Sequence, residues 1–212
     1  MSKTEPCESP VGTIEWAFID GDGKEDMNGD KKYTIDVVVS PEQKDEFLAK
    51  IDAFWEANKP AGAKDYKSNG VYPHRVKDEE ASKEAGENVY VDTGNFVIRF
   101  KTNTEYQNGD PKLVKVFNAK GNEVSLHGKK IGNGSRGRAQ GAMGIYNVKA
   151  NKGVALYLNG VQLSKFVPFV GGPSFTEIED EDGEAFEGVE GAVGAIADEQ
   201  EEQAAEAARP RL

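Results

Sequence analysis

The residues best suited to chemistry are basic side chains interleaved with aromatic ones between residues 91 and 173, where twelve Lys and Arg stand against four Asp and Glu. In an extended strand, residues two apart share a face. Over residues 95–101 this puts Phe96, Ile98 and Phe100 on one side and Val97, Arg99 and Lys101 on the other, so that an apolar face backs a cationic one. Over residues 113–117, Leu113, Lys115 and Phe117 oppose Val114 and Val116, which sets a lysine beside an aromatic ring. In SRGRAQGAMGIYNV, residues 135–148, simple alternation places Arg136, Arg138 and Tyr146 together, although the glycines of this run invite bulges. Over residues 153–158, Val154, Leu156 and Leu158 point inward and Tyr157 outward. Such cations displace the counterions of a phosphate backbone, and flat side chains stack exposed bases at about 1–3 kcal/mol each. The pattern therefore predicts a surface for a single-stranded nucleic acid. Arg99, Lys101, Lys115, Lys129, Lys130, Arg136, Arg138 and Lys149 are the expected phosphate contacts, and Phe117, Tyr146 and Tyr157 the expected base-stacking rings. The plain alternative is a solvated strand face with no ligand.

Other chemistries fit the residues poorly. Gly132, Gly134 and Gly137 match G-x-G-x-x-G, but a dinucleotide site needs a helix after the glycines and an acid about 20 residues on. Here a strand-like run follows, and positions 157 to 159 are Tyr, Leu and Asn. Residues 129–138 read instead as a flexible basic loop. The Asp-rich residues 20–30 depart from a calcium loop, because Lys24 and Glu25 occupy its fifth and sixth positions and Lys31 stands where the bidentate Glu belongs. One cysteine, Cys7, excludes an internal disulfide, and His74 and His127 are too few for the usual zinc sets. No Walker A run and no nucleophile with histidine and acid partners occurs in a known motif. The carboxylates of the folded part fall mostly in loops and on helix faces, a poor basis for a two-metal nuclease. The expectation is a protein that is not an enzyme and holds no cofactor and no metal.

Charge is segregated along the 212 residues. The net charge of −11 resides in residues 174–212, which carry 13 acidic and two basic side chains. Residues 1–90 hold 12 basic and 20 acidic groups, so an acidic half, a basic half and an acidic tail follow one another. The tail, rich in Glu, Ala and Gly, is expected to be disordered. Its acids, among them Glu179, Asp180, Glu181 and Asp182, together with Phe186, are candidates for competition with the basic groove or for contact with a partner. No apolar run is long enough for a membrane helix, and residues 1–10 lack the apolar stretch of a secretory signal. A cytoplasmic protein without membrane contact is expected.

The elements that must position these side chains are mainly strands. Residues 11–19 read as a half-buried strand with Ile14, Trp16 and Phe18 on one face, and residues 32–39 as another with Tyr33, Ile35, Val37 and Val39 inward, the two forming a hairpin across the turn-rich loop 20–30. Ser40, Pro41 and Gln43 form a capping box for a helix to about Asn58, with Phe47, Leu48, Ile51, Phe54 and Trp55 at helical spacing. Residues 59–88 lack a sustained apolar period and read as a surface excursion with a short helix at 78–85. Strands return at 89–91, 95–101, 113–118, 135–148 and 153–169. Five or six strands and one long helix predict a mainly β chain, a small closed Greek-key barrel whose closure removes exposed edges. The predicted organisation is an N-terminal arm at 1–10, a domain at 11–173 and the tail at 174–212.

The stretch IGNGSRGRAQGAMGIYNV followed by KGVALYLNGVQLSKFVPF, residues 131–169, resembles the end of the barrel in phage single-stranded-DNA-binding proteins of the T7 replication type, most specifically at Gly153, Leu156, Leu158, Val161 and Gln162. The resemblance implies a five-stranded OB-fold over about residues 10–170 with a helix packed on it, and a disordered acidic tail. It also implies coating of single-stranded DNA without sequence choice in phage replication, recombination and repair, within the host cytoplasm. Partners would be single-stranded DNA and, through the tail, replication or recombination proteins; the sequence leaves homo-oligomerisation open. The chain differs in ending on Arg209, Pro210, Arg211 and Leu212 where that family commonly carries a terminal aromatic residue. A virion or scaffold module that never meets DNA is the alternative.

Overall fold

Alternating apolar residues organise the chain into strands around one core, and the structure, a computed structural model, describes residues 4–26, 28–66, 69–148 and 151–171. In order these form β1 (Thr4–Glu8), β2 (Gly12–Phe18), β3 (Lys24–Glu25), β4 (Lys31–Val39), α1 (Pro41–Asn58) and β5 (Val71–Asp78). They continue with α2 (Glu79–Ala85), β6 (Val89–Asn103), β7 (Lys115–Phe117), β8 (Ser135–Val148) and β9 (Asn151–Lys165). Strand β8 pairs with β2, β2 with β4, β4 with β6, β6 with β9, and β9 again with β8. The five strands thus close on themselves, antiparallel everywhere except between β6 and β9, as the OB-fold Greek-key barrel. Strands β1 and β7 extend the sheet beside β8 and β9, and β3 and β5 add to β4 and β6.

The interior is built from the inward residues of each strand: Ile14, Tyr33, Ile35, Val37, Ile98, Phe100, Val154, Leu156 and Leu158 are all buried. Helix α1 completes the core. Ser40 caps it, its Oγ accepting the Gln43 backbone N–H at 3.4 Å while Gln43 Oε1 accepts the Ser40 N–H at 3.1 Å. Phe47, Ile51, Phe54 and Trp55 are its buried face, and the Phe47 ring lies 6.4 Å from that of Phe100 on β6. Closure demands close backbone approach. A Cβ at Gly141, where β8 shifts register against β9, would fall on the Tyr157 carbonyl oxygen, so only glycine admits the strand there.

Several expectations change. Residues 59–88 contain a strand as well as the short helix: β5 is polar apart from Val71, Tyr72 and Val76, and its extended form comes from pairing with β6 rather than from its own period. Pro73 lies at a register shift of this edge strand, where a missing N–H is tolerated. The segments expected at 89–91 and 95–101 are one strand of 15 residues that passes Gly94 at φ +81°; β5 pairs with it from Val89 to Ile98 and β4 from Phe96 to Asn103, so residues 96–98 are flanked on both sides. Strand β7 is shorter than expected, leaving Leu113 exposed, and β9 ends at Lys165, short of Phe169. Residues 135–138 are the start of β8 rather than loop, and Gly132 packs against the backbone of Pro168 and Phe169.

The expected N-terminal arm is, from Thr4 to Glu8, a strand in register with residues 140–144 of β8. It turns Cys7 into the core, where burial foremost, then Glu5 and Glu8, pushes the thiol up to about 12. The expected result at about pH 8 is a slow reaction of Cys7 with a disulfide reagent in the folded chain and an ordinary rate in urea; equal rates in both would show β1 undocked.

Candidate nucleic-acid interface

Beside β6, the loop 20–30, the start of β5 and the β8–β9 hairpin border one cleft of about 920 Å³. It is lined by Arg99 and Lys101 from β6, Tyr146 from β8, Tyr157 from β9, Tyr72 from β5 and Asn28 from the loop. Alternation explains each placement. Ile98 and Phe100 are fully buried, which turns Arg99 and Lys101 outward; Leu156 and Leu158 are buried, which leaves Tyr157 outward and 40% exposed. The parallel bridge between β6 and β9 joins Lys101 to Tyr157 and so fixes a cation beside a ring. Gly144 makes room for that ring, since a Cβ there would stand 2.6 Å from Tyr157 Cε2.

Arg99 is already engaged. The β4–β6 register sets it opposite Asp36, and its Nε and Nη2 donate to Asp36 Oδ1 and Oδ2, both at 2.6 Å. The Asp36 side chain is 4% exposed, that of Arg99 42%. Tyr72 Oη donates to Asp36 Oδ2 at 3.2 Å, and the Arg99 guanidinium carbon lies 5.0 Å from the centroid of the Tyr72 ring. Burial, then the Asp36 charge, pushes the Tyr72 phenol well above its ordinary value, and the hydrogen bonds to Asp36 raise Arg99 further. Fork-to-carboxylate geometry of this kind holds both side chains in one orientation.

Trp16 belongs to this face, contrary to the inward placement expected from alternation. Strand β2 shifts register against β4 between Glu15 and Phe18, Trp16 takes φ +48°, and its backbone N–H donates to Asn133 Oδ1 at 2.9 Å. The bulge turns the indole out to 55% exposure. A cleft of about 310 Å³ holds it with Tyr72, Arg75, Tyr90 and Arg99, and an adjoining one of about 280 Å³ with Lys24, Lys32, Arg99 and Lys101. One signal was available. Ile14 and Ile19 are both buried yet five residues apart, so a strict two-residue period cannot serve both without an extra residue between them.

The remaining expected contacts lie elsewhere. Arg138 pairs with Glu8 at 2.6 Å and donates to Gln162 at 2.8 Å, while Arg136 is exposed farther along the same face of β8. Phe117 lies over Gly160, where a Cβ would stand 3.2 Å from its ring, and Lys115 beside it pairs with Glu123 at 2.8 Å. These four occupy the outer face of β7, β9 and β8, adjacent to Tyr157 along β9. Lys129 lines a separate cleft of about 590 Å³ with Lys115, Leu113, Val116 and Ile131, and Lys130 is exposed next to it. Lys149 and the tail residues Glu179, Asp180, Glu181, Asp182 and Phe186 lie outside the described residues. In the loop 20–30, Asp26 Oδ1 accepts the N–H groups of Asn28 and Asp30, and Asp22 pairs with Lys31 at 2.8 Å. Among the described residues, no three His, Cys, Asp or Glu side chains gather as a metal site, and no helix is long and apolar enough to cross a membrane.

No protein-family model matches the chain, and no curated protein does. Solved structures share its fold. The gp2.5 single-stranded-DNA-binding protein of bacteriophage T7 is 19% identical, with 80% of this chain and 91% of that one covered and a TM-score of 0.53. The single-stranded-DNA-binding protein of bacteriophage Enc34 in complex with single-stranded DNA is 17% identical, with 78% and 89% covered and a TM-score of 0.54. Its C-terminal truncation is 18% identical, with 77% and 88% covered and a TM-score of 0.53. The structural neighbours are thus phage single-stranded-DNA-binding proteins, and at these identities the likeness establishes the barrel.

The Tyr72 environment has a pH consequence. A phenol raised in the folded state contributes stability that is whole below its ordinary value of 10.0 and is lost as pH rises beyond it, because the unfolded chain ionises first. The stability difference between the wild type and Tyr72→Phe, followed by urea unfolding, should be constant below about pH 10 and shift against the wild type above it. A difference unchanged at higher pH would show the phenol exposed and free of Asp36.

Proposed function

We propose that this chain, which shares its barrel with phage single-stranded-DNA-binding proteins, itself binds single-stranded DNA and coats it without sequence choice. The observation that carries the reading is the convergence of Arg99, Lys101, Tyr146 and Tyr157, from three strands, into one cleft between the loop 20–30 and the β8–β9 hairpin. In OB-folds this is the face, and these are the loops, on which oligonucleotides lie. Trp16, Tyr72 and Tyr90 carry the aromatic surface onward across β2 and the β5–β6 ribbon. Lys101 and Lys24, then Arg136 and Arg138 along β8, supply cations, and Tyr157, Tyr146 and Phe117 supply rings. Lys115, Lys129, Lys130 and Lys149 extend the basic set.

No bond is made or broken in this role; the protein is a binder, not an enzyme, in phage replication, recombination and repair in the host cytoplasm. Duplex DNA hides the faces of its bases and gives the rings nothing to stack on, so preference for single strands follows from the same side chains. The acidic residues 174–212 compete electrostatically with DNA for the basic face, lowering apparent affinity, and are handed to a replication or recombination protein once DNA is bound. The domain at 11–173 carries the DNA contacts and the tail their regulation.

Fluorescence anisotropy with a labelled oligo-dT of about 30 nucleotides tests this, since OB-folds cover about 4–16 nucleotides. Binding should be tight to the single strand, weak to a duplex of equal length, and fall with salt at a log–log slope of about −0.7 per phosphate contacted. A chain ending at Gly172 should bind more tightly at low salt than the full chain; equal affinity would refute competition by the tail. Of the two tryptophans, Trp55 is 2% exposed and Trp16 lies on the face, so DNA should quench indole emission in the wild type and far less in Trp16→Phe. Quenching retained in Trp16→Phe would place the DNA away from β2.

A further inference from the structure

Arg99 has the charge of a phosphate contact without the surroundings of one. Nε and Nη2 are committed to the Asp36 carboxylate at 2.6 Å each, and that carboxylate is almost fully buried beneath it. A phosphate drawn to the free edge of the guanidinium also approaches Asp36, well within a Debye length, so attraction to one is offset by repulsion from the other. Such a pair has little counterion to release. Lys101, two residues along the same face of β6, is in no ion pair among the described residues and interacts with Asp26 of its cleft only at longer range.

What Arg99 does present is a plane. Its guanidinium lies over the Tyr72 ring at 5.0 Å, and Tyr72 is tied through its hydroxyl to the same Asp36, so three side chains from β4, β5 and β6 hold one another in place. Arg99 lines each of the three adjoining clefts, one with Tyr146 and Tyr157 and two with Trp16. It is therefore the step between the aromatic residues at the two ends of the face. Guanidinium planes stack on bases as aromatic rings do.

Resting on the single-stranded-DNA reading above, we propose that Asp36, Arg99 and Tyr72 form a charge-compensated platform on which a base stacks, and that Arg99 is not a phosphate contact. Asp36 cancels the long-range charge of Arg99 and fixes its plane, while Lys101 supplies the neighbouring phosphate contact. The centre of the face then recognises the exposed base and its rim recognises the backbone.

The test is titration of labelled oligo-dT with the full chain at several salt concentrations, comparing the wild type, Arg99→Lys, Lys101→Gln and the double variant Asp36→Asn with Arg99→Gln, which leaves no buried charge unpaired. Circular dichroism melts verify folding. Arg99→Lys keeps the charge but loses the plane, and should bind about ten-fold more weakly at every salt concentration with the wild-type slope. The double variant should behave the same way, whereas Lys101→Gln should flatten the slope by about 0.7. Wild-type binding by Arg99→Lys, or a slope flattened by about 0.7 in the double variant, would make Arg99 a phosphate contact and overturn the proposal. Unchanged affinity in the double variant would overturn it too. Failure of the wild type to bind, or binding insensitive to salt, would instead refute the single-stranded-DNA reading itself, and is seen before any variant is compared.

Discussion

The meeting of β6 and β9 at Lys101 and Tyr157 is the contact to which the outer face is referenced. It is the one parallel bridge of the barrel, and it closes a circle whose other pairings are antiparallel. Closure depends on backbone approach: Gly141 admits the Tyr157 carbonyl, and Gly144, three residues on, admits the Tyr157 ring. The core residues Phe100, Leu156 and Leu158 then determine which side chains turn outward. Arg99, Lys101 and Tyr157 are on the surface because their neighbours are inside, and they are together because β9 returns beside β6.

A buried carboxylate on a cationic face is costly unless its partner is held well, and removing either partner costs more than the pair contributes. Asp36 meets that condition with two short hydrogen bonds from Arg99 and a third from Tyr72. Similar pairing recurs outward from this centre. Lys115 is matched by Glu123 and Arg138 by Glu8, so the basic side chains of residues 91–173 are partly compensated by nearby acids. Lys101 and Arg136 form no ion pair among the described residues, and Lys101 interacts with the Asp26 carboxylate only at longer range. Surface pairs of the first kind add little stability and yield readily to a ligand.

The legible parts of the fold were those where a local rule and the tertiary structure agree. The capping box at Ser40, the inward run of Tyr33, Ile35, Val37 and Val39, and the outward placement of Tyr157 follow from period and cap chemistry alone. Strand β5 did not, because VYPHRVKD has no apolar alternation and owes its shape to β6. Trp16 faces outward against its alternation because it lies in a bulge whose extra residue breaks the two-residue period, and the parity change between Ile14 and Ile19 is the trace of it in the sequence. The charges of Arg99, Lys115 and Arg138 were plain in the sequence; their acidic partners, 63, 8 and 130 positions away, were not, since pairing across strands has no fixed spacing. For that reason a basic alternation locates a face more reliably than it assigns its contacts.

In the proposed function, single-stranded DNA lies across β2, β4, β6 and the β8–β9 hairpin. Ultraviolet crosslinking of the full chain to oligo-dT, with the crosslinked peptides identified by mass spectrometry, tests it most directly. Crosslinks are expected at Trp16, Tyr72, Tyr146 or Tyr157, the rings of the adjoining clefts around Arg99. Crosslinks confined to residues 113–131, around the cleft of Lys115 and Lys129, with none at those four rings, would contradict it.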